Sequence, residues 1–171
     1  MSVDFRKLVN RLTPTARRTL EAAVGKAVSG QHYEITVEHM LLAMLEQEDG
    51  DVAQILMQNR KDRLTVLGRV ERTVDHFRSG GSGRPAWSGS LPKWFEESWL
   101  LASVEYGEVR LRSGVLFLQL LLTPGRYTGE TYPELEAIDV DKLKTGLDDI
   151  IGTCVEAIES IPEPGTAEAA A

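Results

Sequence analysis

One feature constrains this chain more than any other: a strongly apolar run occurs twice. The first is TVEHMLLAML at residues 36–45, and the second is SGVLFLQLL at residues 113–121. Each begins with a small hydroxyl residue, which can cap a helix by accepting a backbone N–H bond. Each then becomes too rich in large apolar residues for a surface helix. The sequence therefore predicts two related halves, each built around a buried central helix.

The chain up to Gly30 predicts two helices joined by a sharp corner. Residues 3–12 carry apolar side chains at i, i+3, i+4 and i+7, the pattern of a short amphipathic helix. Thr13 can cap the next helix, and Pro14 suits its first turn because that position needs no N–H donor. We expect this second helix to run to about Ser29, with Gly30 at the C′ position.

The same reasoning predicts further helices along the chain. Asp51 is expected to cap a short helix, and residues 64–77 then show the spacing of a longer amphipathic one. The passage 123–138 is loop-rich, and a last helix is predicted over residues 140–158. These elements predict an all-α fold, in which four helices form the first half and an extra N-terminal helix precedes the repeat.

Composition divides the chain further. The stretch SGGSGRP at residues 79–85 has the composition of a loop. We therefore expect repeat one at about 13–78, a connector at about 79–90 and repeat two at about 91–160, so that the double domain spans 1–160. Residues 161–171 have the Pro/Gly and low-complexity character of a linker-like tail.

The second half is expected to repeat the first with a small deletion. Leu91 and Pro92 match the corner at residues 12–14. One sequence offset aligns the first helices of the two halves, and another aligns His39 with Val115. The first offset is two positions larger than the second. We therefore expect that the second half has lost about two residues from its helix-to-helix loop.

Charge and cysteine usage narrow the class of partner. The net charge is −7, and no block of Lys and Arg is longer than a pair. This argues against binding nucleic acid or an anionic membrane surface and favours a protein partner. Cys154 is the single cysteine, which excludes an internal disulfide and indicates a buried structural thiol. No signal peptide or membrane-spanning run is visible, so we expect a cytoplasmic location.

The sequence shows no catalytic constellation. It lacks a phosphate-binding loop, a nucleophile elbow and a Cys/His cluster with metal-ligand spacing, so we expect no enzyme activity, cofactor or metal. His39 is expected to be a core imidazole bonded to nearby backbone. The adjacent acidic pairs 96–97 and 148–149 cannot flank one substrate bond, and are expected to form solvated faces.

Apolar surface beyond the needs of a four-helix pattern provides the functional signal. Residues of the leading helix, small residues of the second helix and the tryptophans after the connector could line a groove for an amphipathic partner helix. On periodicity alone, the same residues could instead pack the core or dock the leading helix onto its own domain. The candidate partner-binding residues are Phe5, Leu8, Leu12, Ala16, Ala23, Val24, Trp87, Leu91 and Trp94.

Three segments resemble the double Clp N-domain of the Clp/Hsp100 ATPases. They are the run at 36–45, the run LRSGVLFL at 111–118 and the Leu-Thr-Pro start at 12–14. The extra leading helix and two further segments, 98–103 and 112–127, look like those of ClpV proteins, the ATPases of type VI secretion. The chain departs from many Clp N-domains at Val115, where they have His.

The resemblance implies a role that spacing alone could not provide. ClpV-like proteins recognise an N-terminal helix of the larger sheath subunit (VipB/TssC), and their ATPase rings disassemble contracted sheaths. The chain would then be the substrate-recognition part of a hexameric parent, itself monomeric as a fragment. The alternative is an adaptor-binding or unfolded-chain-binding N-domain of a ClpB- or ClpC-like chaperone.

Overall fold

The computed structural model describes residues 3–162, which form ten helices and two short strands. The predicted all-α class is confirmed. From residue 163 onward, the predicted linker-like tail lies outside the described residues. In chain order the elements are α1 (Phe5–Asn10), α2 (Pro14–Ser29), β1 (Glu34–Ile35), α3 (Val37–Leu45), α4 (Asp51–Gln58), α5 (Arg63–Asp75), β2 (Ala86–Trp87), α6 (Ser90–Glu105), α7 (Ser113–Leu122), α8 (Pro133–Glu136), α9 (Val140–Ile150) and α10 (Val155–Glu159).

The two apolar runs form the buried centres of the two halves, as predicted. Every residue of α3 is buried, and in α7 only Gln119 and Leu122 are partly exposed. Helix α3 packs against α2 and α5, whereas α7 packs against α6, α4 and α9. Because α4 belongs to the first half, its contact with α7 ties the two halves into one core.

The two central helices begin in different ways. Thr36 caps α3 as predicted, and His39 completes a capping box by accepting the Thr36 N–H. The prediction that Ser113 caps α7 is wrong, because Ser113 is the first residue of that helix. The N–H groups of Ser113 and Gly114 instead donate to distant carboxylates, Glu156 at 2.9 Å and Asp51 at 2.9 Å. These carboxylates satisfy helix N–H groups that would otherwise lack partners.

The register of the repeat differs from the predicted one. The buried residues of α2 and α6 align at one constant offset along the sequence. This offset is one position smaller than the offset that aligns the first residue of α3 with the first residue of α7. The second half has therefore gained one residue between these helices, and the expected loss of two is wrong. The matching buried sets are Ala16, Thr19, Leu20, Ala23 and Ala27 in α2, and Leu91, Trp94, Phe95, Ser98 and Ala102 in α6.

Short parallel pairings cross between the halves. Ile35, before α3, pairs with Trp87, before α6, while Leu12, before α2, pairs with Leu111, before α7. The counterpart of the first corner is therefore the segment from Trp87 to Ser88, and the match to residues 91–92 is wrong because they lie inside α6. The two-residue strands were not predicted, since so short a run carries no period-2 signal.

The first corner and its counterpart use the same local chemistry. The Thr13 hydroxyl accepts the N–H of Ala16 at 3.1 Å, and the Ser88 hydroxyl accepts the N–H of Leu91 at 3.3 Å. In each case a hydroxyl accepts from the third residue after it, as at a helix N-terminus. The capping role predicted for Thr13 is confirmed.

A buried ion pair joins the halves. Arg112 donates to both carboxylate oxygens of Asp51, from Nε at 2.9 Å and from Nη2 at 2.8 Å, and both side chains are almost fully buried. The predicted capping role of Asp51 is wrong: Gly50, with a φ of 120°, occupies the N-cap position of α4. Asp51 lies in the first turn and serves Arg112 and the start of α7.

The predicted last helix is in fact two. Helix α9 ends at Ile150 and α10 starts at Val155. Between them the carbonyl of Ile151 accepts from the Cys154 N–H at 3.2 Å and from Arg112 Nη2 at 3.0 Å, so it belongs to a tight turn and not to a continuing α-helix. The turn reorients α10, so that Glu156 is buried and Ile158 is 73% exposed.

Smaller deviations have local causes. The passage predicted as loop contains the single-turn helix α8, which begins with Pro133 at its first position. In α5 the buried face includes Val66, whereas Leu64 is 62% exposed. Gly30 is the C-cap of α2 with helical φ, and the left-handed residue after it is Gln31, at φ 54°.

Glu156 anchors α10 to both halves. Its Oε1 accepts from the hydroxyl of Thr13 at 2.5 Å and from the N–H of Ser113 at 2.9 Å. Burial, followed by the negative charge of Asp51, raises the pKa of Glu156 to about 7, although the bonds from Thr13 and Ser113 act in the opposite direction. The folded protein therefore holds a proton that the unfolded chain would release.

We expect Asp51→Asn to lower the free energy of unfolding by about 3 kcal/mol, because it leaves the Arg112 guanidinium buried without a counter-charge. Urea unfolding followed by circular dichroism measures this loss. Asp75→Asn, at an exposed carboxylate, is the matched control and should change stability by less than about 0.5 kcal/mol. Equal losses in the two variants would contradict the role of the ion pair.

We expect Glu156 to make the protein less stable as pH rises from about 5 to about 7. Its folded pKa lies above the ordinary value of 4.5, so its contribution is complete below that value and is lost as pH rises through the folded pKa. The loss is on the order of 2 kcal/mol. The measurement is the difference in unfolding free energy between wild type and Glu156→Gln across this range. Parallel pH profiles would refute the assignment.

Candidate functional site

Helix α1 lies across the second half. It packs against α6, and its N-terminus is capped by Asp4, whose carboxylate accepts the N–H of Arg6 at 3.0 Å. Leu8 and Leu12 are each only 2% exposed, so they fasten the helix to the core. The alternative in which the leading helix docks onto its own domain is therefore correct for these two residues.

Two aromatic rings reach the surface where α1 meets β2. The Phe5 ring contacts the edge of Trp87, with centroids 5.0 Å apart, and lies 5.3 Å from the buried Phe95. Trp87 remains 43% exposed, and Phe5 is partly exposed. We call Phe5 and Trp87 the aromatic patch. A half-exposed tryptophan that is held by a neighbouring ring is pre-ordered to contact a partner at little cost in side-chain entropy.

The remaining candidate residues are mostly buried, and only Val24 among them is partly exposed. Trp94 is fully buried, and its indole N–H donates to the carbonyl of Leu116 at 2.9 Å. In this conformation a partner can reach three of the nine residues: Phe5, Val24 and Trp87. The buried six are Leu8, Leu12, Ala16, Ala23, Leu91 and Trp94.

The small residues of α2 have a structural explanation. Ala16 and Ala23 are 0% exposed, and α2 packs most extensively against α3. Alanine side chains on such a stripe let two helix backbones approach closely. They were expected to line a groove because small residues serve a neighbouring helix of the same chain and a partner helix equally well.

Basic side chains beside the aromatic patch were not among the predicted residues. The Arg11 guanidinium lies 5.3 Å from the ring centre of Trp99, in cation–π contact. Arg17 donates to the carbonyl of Val9 at 3.2 Å and to the side chain of Asn10 at 3.1 Å. Their signal in the sequence was the clustering of Lys and Arg between Met1 and Arg18.

A histidine pair forms a second polar cluster, next to β1. His39 Nδ1 accepts the Thr36 N–H at 3.0 Å, so Nε2 carries the proton and donates to His32 Nδ1 at 2.8 Å. Burial, helped by His32 and Lys26, lowers the pKa of His39 to about 4. The imidazole is therefore neutral at pH 7, and the predicted core histidine bonded to nearby backbone is confirmed.

Glu97 was expected on a solvated face but holds a loop instead. Its carboxylate accepts from Arg126 at 2.9 Å and from the Tyr127 hydroxyl at 2.7 Å. The hydrogen bond from Arg126 lowers the pKa of Glu97. Glu97 thus fixes the passage after α7 against α6, which sequence spacing could not indicate.

Two further observations bear on chemistry. Cys154 is only partly buried, whereas full burial was expected. Burial still raises the pKa of its thiol to about 11, so at pH 7 the side chain is not a thiolate nucleophile. Across residues 3–162, no three His, Cys, Asp or Glu side chains group in a way that could hold a metal ion. Over the same residues, no helix has the length and apolarity needed to span a bilayer.

Solved structures with this fold include N-domains of ClpV. The N-domain of ClpV from Vibrio cholerae superposes with a TM-score of 0.82 at 28% identity, covering 91% of this chain and 94% of that one. A complex of a ClpV N-domain with a VipB peptide gives a TM-score of 0.79 at 27% identity, covering 91% of this chain and 96% of that one.

Sequence comparisons point the same way. The AAA+ ATPase ClpV1 of Pseudomonas aeruginosa is 26% identical over 153 residues, which cover 87% of this chain and 17% of that protein. The chain thus spans about a sixth of the length of this curated relative. The family model described as the Clp repeat (R) N-terminal domain matches residues 11–123. The chain belongs to the Clp repeat N-terminal domain family.

Proposed function

We propose that this chain is the substrate-recognition domain of a ClpV-like ATPase and binds an amphipathic N-terminal helix of the large (VipB/TssC-like) type VI secretion sheath subunit. The observation that carries the proposal is the similarity to a ClpV N-domain in complex with a VipB peptide, over 91% of this chain. The recognition step is non-catalytic, and ATP hydrolysis would belong to ring modules of a larger, hexameric parent protein.

The binding surface that we propose is centred on the aromatic patch. Trp87 offers a large apolar ring, and Phe5 holds that ring against the domain. An amphipathic helix buries its i, i+3, i+4 and i+7 side chains against such a surface. The buried Phe95 ring supports Phe5 from below and packs in turn on the buried Trp94, with centroids 5.6 Å apart. Leu91 is 0% exposed in the same core. Val24, partly exposed on α2, is a further candidate contact.

Helix α1 contributes to the surface and to the fold at once. Leu12 is buried and pairs with Leu111, and Phe5 covers the ring of Phe95. Removing residues 1–12 would therefore strip apolar cover from the core as well as from the proposed surface. Point substitutions at exposed positions separate the two effects.

We expect Trp87→Ala to weaken binding of a synthetic peptide from the N-terminal helix of the sheath subunit by at least about tenfold, because exposed aromatic anchors supply much of the affinity at such surfaces. Isothermal titration calorimetry with the full chain measures the Kd. Because more than half of Trp87 is buried, we expect the variant to lose about 1–2 kcal/mol of stability and to remain folded, which the urea midpoint checks.

Leu64→Ala is the matched control. Leu64 is an exposed apolar residue on α5, 62% exposed, and its replacement should leave the Kd unchanged. Unchanged affinity in Trp87→Ala would contradict the proposed surface. If wild type ignored the sheath peptide but bound an unfolded polypeptide or an adaptor, the domain would instead serve a ClpB- or ClpC-like chaperone.

A further inference from the structure

Positive charge is concentrated at the start of a chain that is otherwise acidic. The segment from Met1 to Arg18 holds five of the 19 Lys and Arg residues and one of the 26 Asp and Glu residues. It therefore carries +4 in a chain of net charge −7, which leaves −11 on the remainder. Such a separation produces a local positive potential at one place on the surface.

The charges on α1 border the aromatic patch. Arg6 and Lys7 directly follow Phe5 in the same short helix, and both are exposed. Successive helical residues point about 100° apart, so Arg6 points to one side of the Phe5 ring, while Lys7 points away from that ring. Both charges lie within one helical turn of the aromatic patch.

Two further guanidinium groups lie toward the C-terminal end of α1 and are held in place. Arg11 lies over the ring of Trp99, and Arg17 is hydrogen-bonded to Val9 and Asn10. Neither contact neutralises the positive charge. We call Arg6, Lys7, Arg11 and Arg17 the basic rim.

Within residues 3–162, the basic rim forms no salt bridge. Among residues 3–162, the salt bridges of the domain use Lys26, Arg69, Arg112, Arg126 and Lys144, and Arg18 approaches Glu159 at 3.9 Å. No member of the basic rim contacts a carboxylate in that part of the chain at salt-bridge distance. Its charge is thus free to act on a molecule outside the domain.

We propose that the basic rim selects partner helices that carry Asp or Glu beside their apolar stripe, and that it steers them onto the aromatic patch. The proposal rests on the proposed function, since it concerns the same surface. Exposed ion pairs contribute little to affinity but raise association rates and set orientation. The acidic remainder of the domain repels such a helix, so the basic rim is the favourable point of approach.

The test is stopped-flow association of the full chain with a labelled peptide from the N-terminal helix of the sheath subunit. We expect the association rate to fall about tenfold between about 25 and 500 mM salt, because salt screens exposed charges. Arg6→Glu/Lys7→Glu should reduce the low-salt rate about tenfold and the dissociation rate by less than about twofold. At high salt this variant should match wild type.

Arg60→Glu/Lys142→Glu is the control for net charge. Both residues are exposed, they lie outside α1, and the double change alters the total charge by the same amount. Its association rate should stay within about threefold of wild type. Equal slowing in the two double variants would overturn the proposal, because net charge and not the basic rim would then set the rate.

Charge exchange between the partners completes the test. A peptide with its acidic residues changed to Lys should associate slowly with the wild-type chain. Its association rate should rise again with the Arg6→Glu/Lys7→Glu variant. A peptide that binds wild type at a rate independent of salt, or that carries no acidic residue, would overturn the inference while leaving the proposed function intact. If the peptide does not bind at all, the proposed function fails and the inference fails with it.

A polyanion provides a separate arm of the experiment. Wild type and Arg6→Glu/Lys7→Glu should both fail to bind a DNA duplex or phosphatidylserine vesicles at about 150 mM salt, where exposed charges are largely screened. Binding that wild type shows and the variant loses, with unchanged peptide kinetics, would assign the basic rim to a polyanion and overturn the proposal.

Discussion

The start of α7 is the point on which the two halves of this domain depend. This helix lacks a side-chain cap of its own, and its first N–H groups donate to carboxylates from α4 and α10. Arg112, just before it, completes the buried ion pair with Asp51. Gly114 makes the approach possible, since a Cβ there would lie 2.7 Å from Ile151 Cδ1 and 3.1 Å from Asp51 Oδ2. The start of this apolar helix thereby carries the charged contacts that hold the two repeats together.

The pseudo-symmetry of the fold explains where a binding surface can arise. Leu12 and Trp87 occupy equivalent positions, each pairing with the segment before a central helix of the other half. Leu12 is 2% exposed and belongs to the core, whereas Trp87 is 43% exposed. A repeat with two identical corners would offer no unique surface. Here helix α1, present once, breaks the symmetry by placing Phe5 beside one corner only.

Charge is distributed in a way that complements this geometry. The buried ionisable groups serve the fold: Asp51 and Arg112 form an ion pair, and one carboxyl oxygen of Glu156 is hydrogen-bonded. The basic rim, whose members form no salt bridge within residues 3–162, lies on and beside α1, near the aromatic patch. A surface with an apolar centre and a charged margin can use the first for affinity and the second for rate and orientation.

The sequence by itself determined the helical class, the two buried central helices, the cap at Thr13 and the family, because apolar spacing and hydroxyl caps are local signals. The tertiary structure decided what each polar and small residue does. Asp51 looked like a cap and is half of an ion pair, while Ala16 and Ala23 looked like a groove and are packed in the core. The register of the repeat was also misjudged from sequence, since Ser88 and Leu91 are matched to their counterparts only by strand pairing and burial. These features depend on contacts between residues far apart in the chain, which no local pattern encodes.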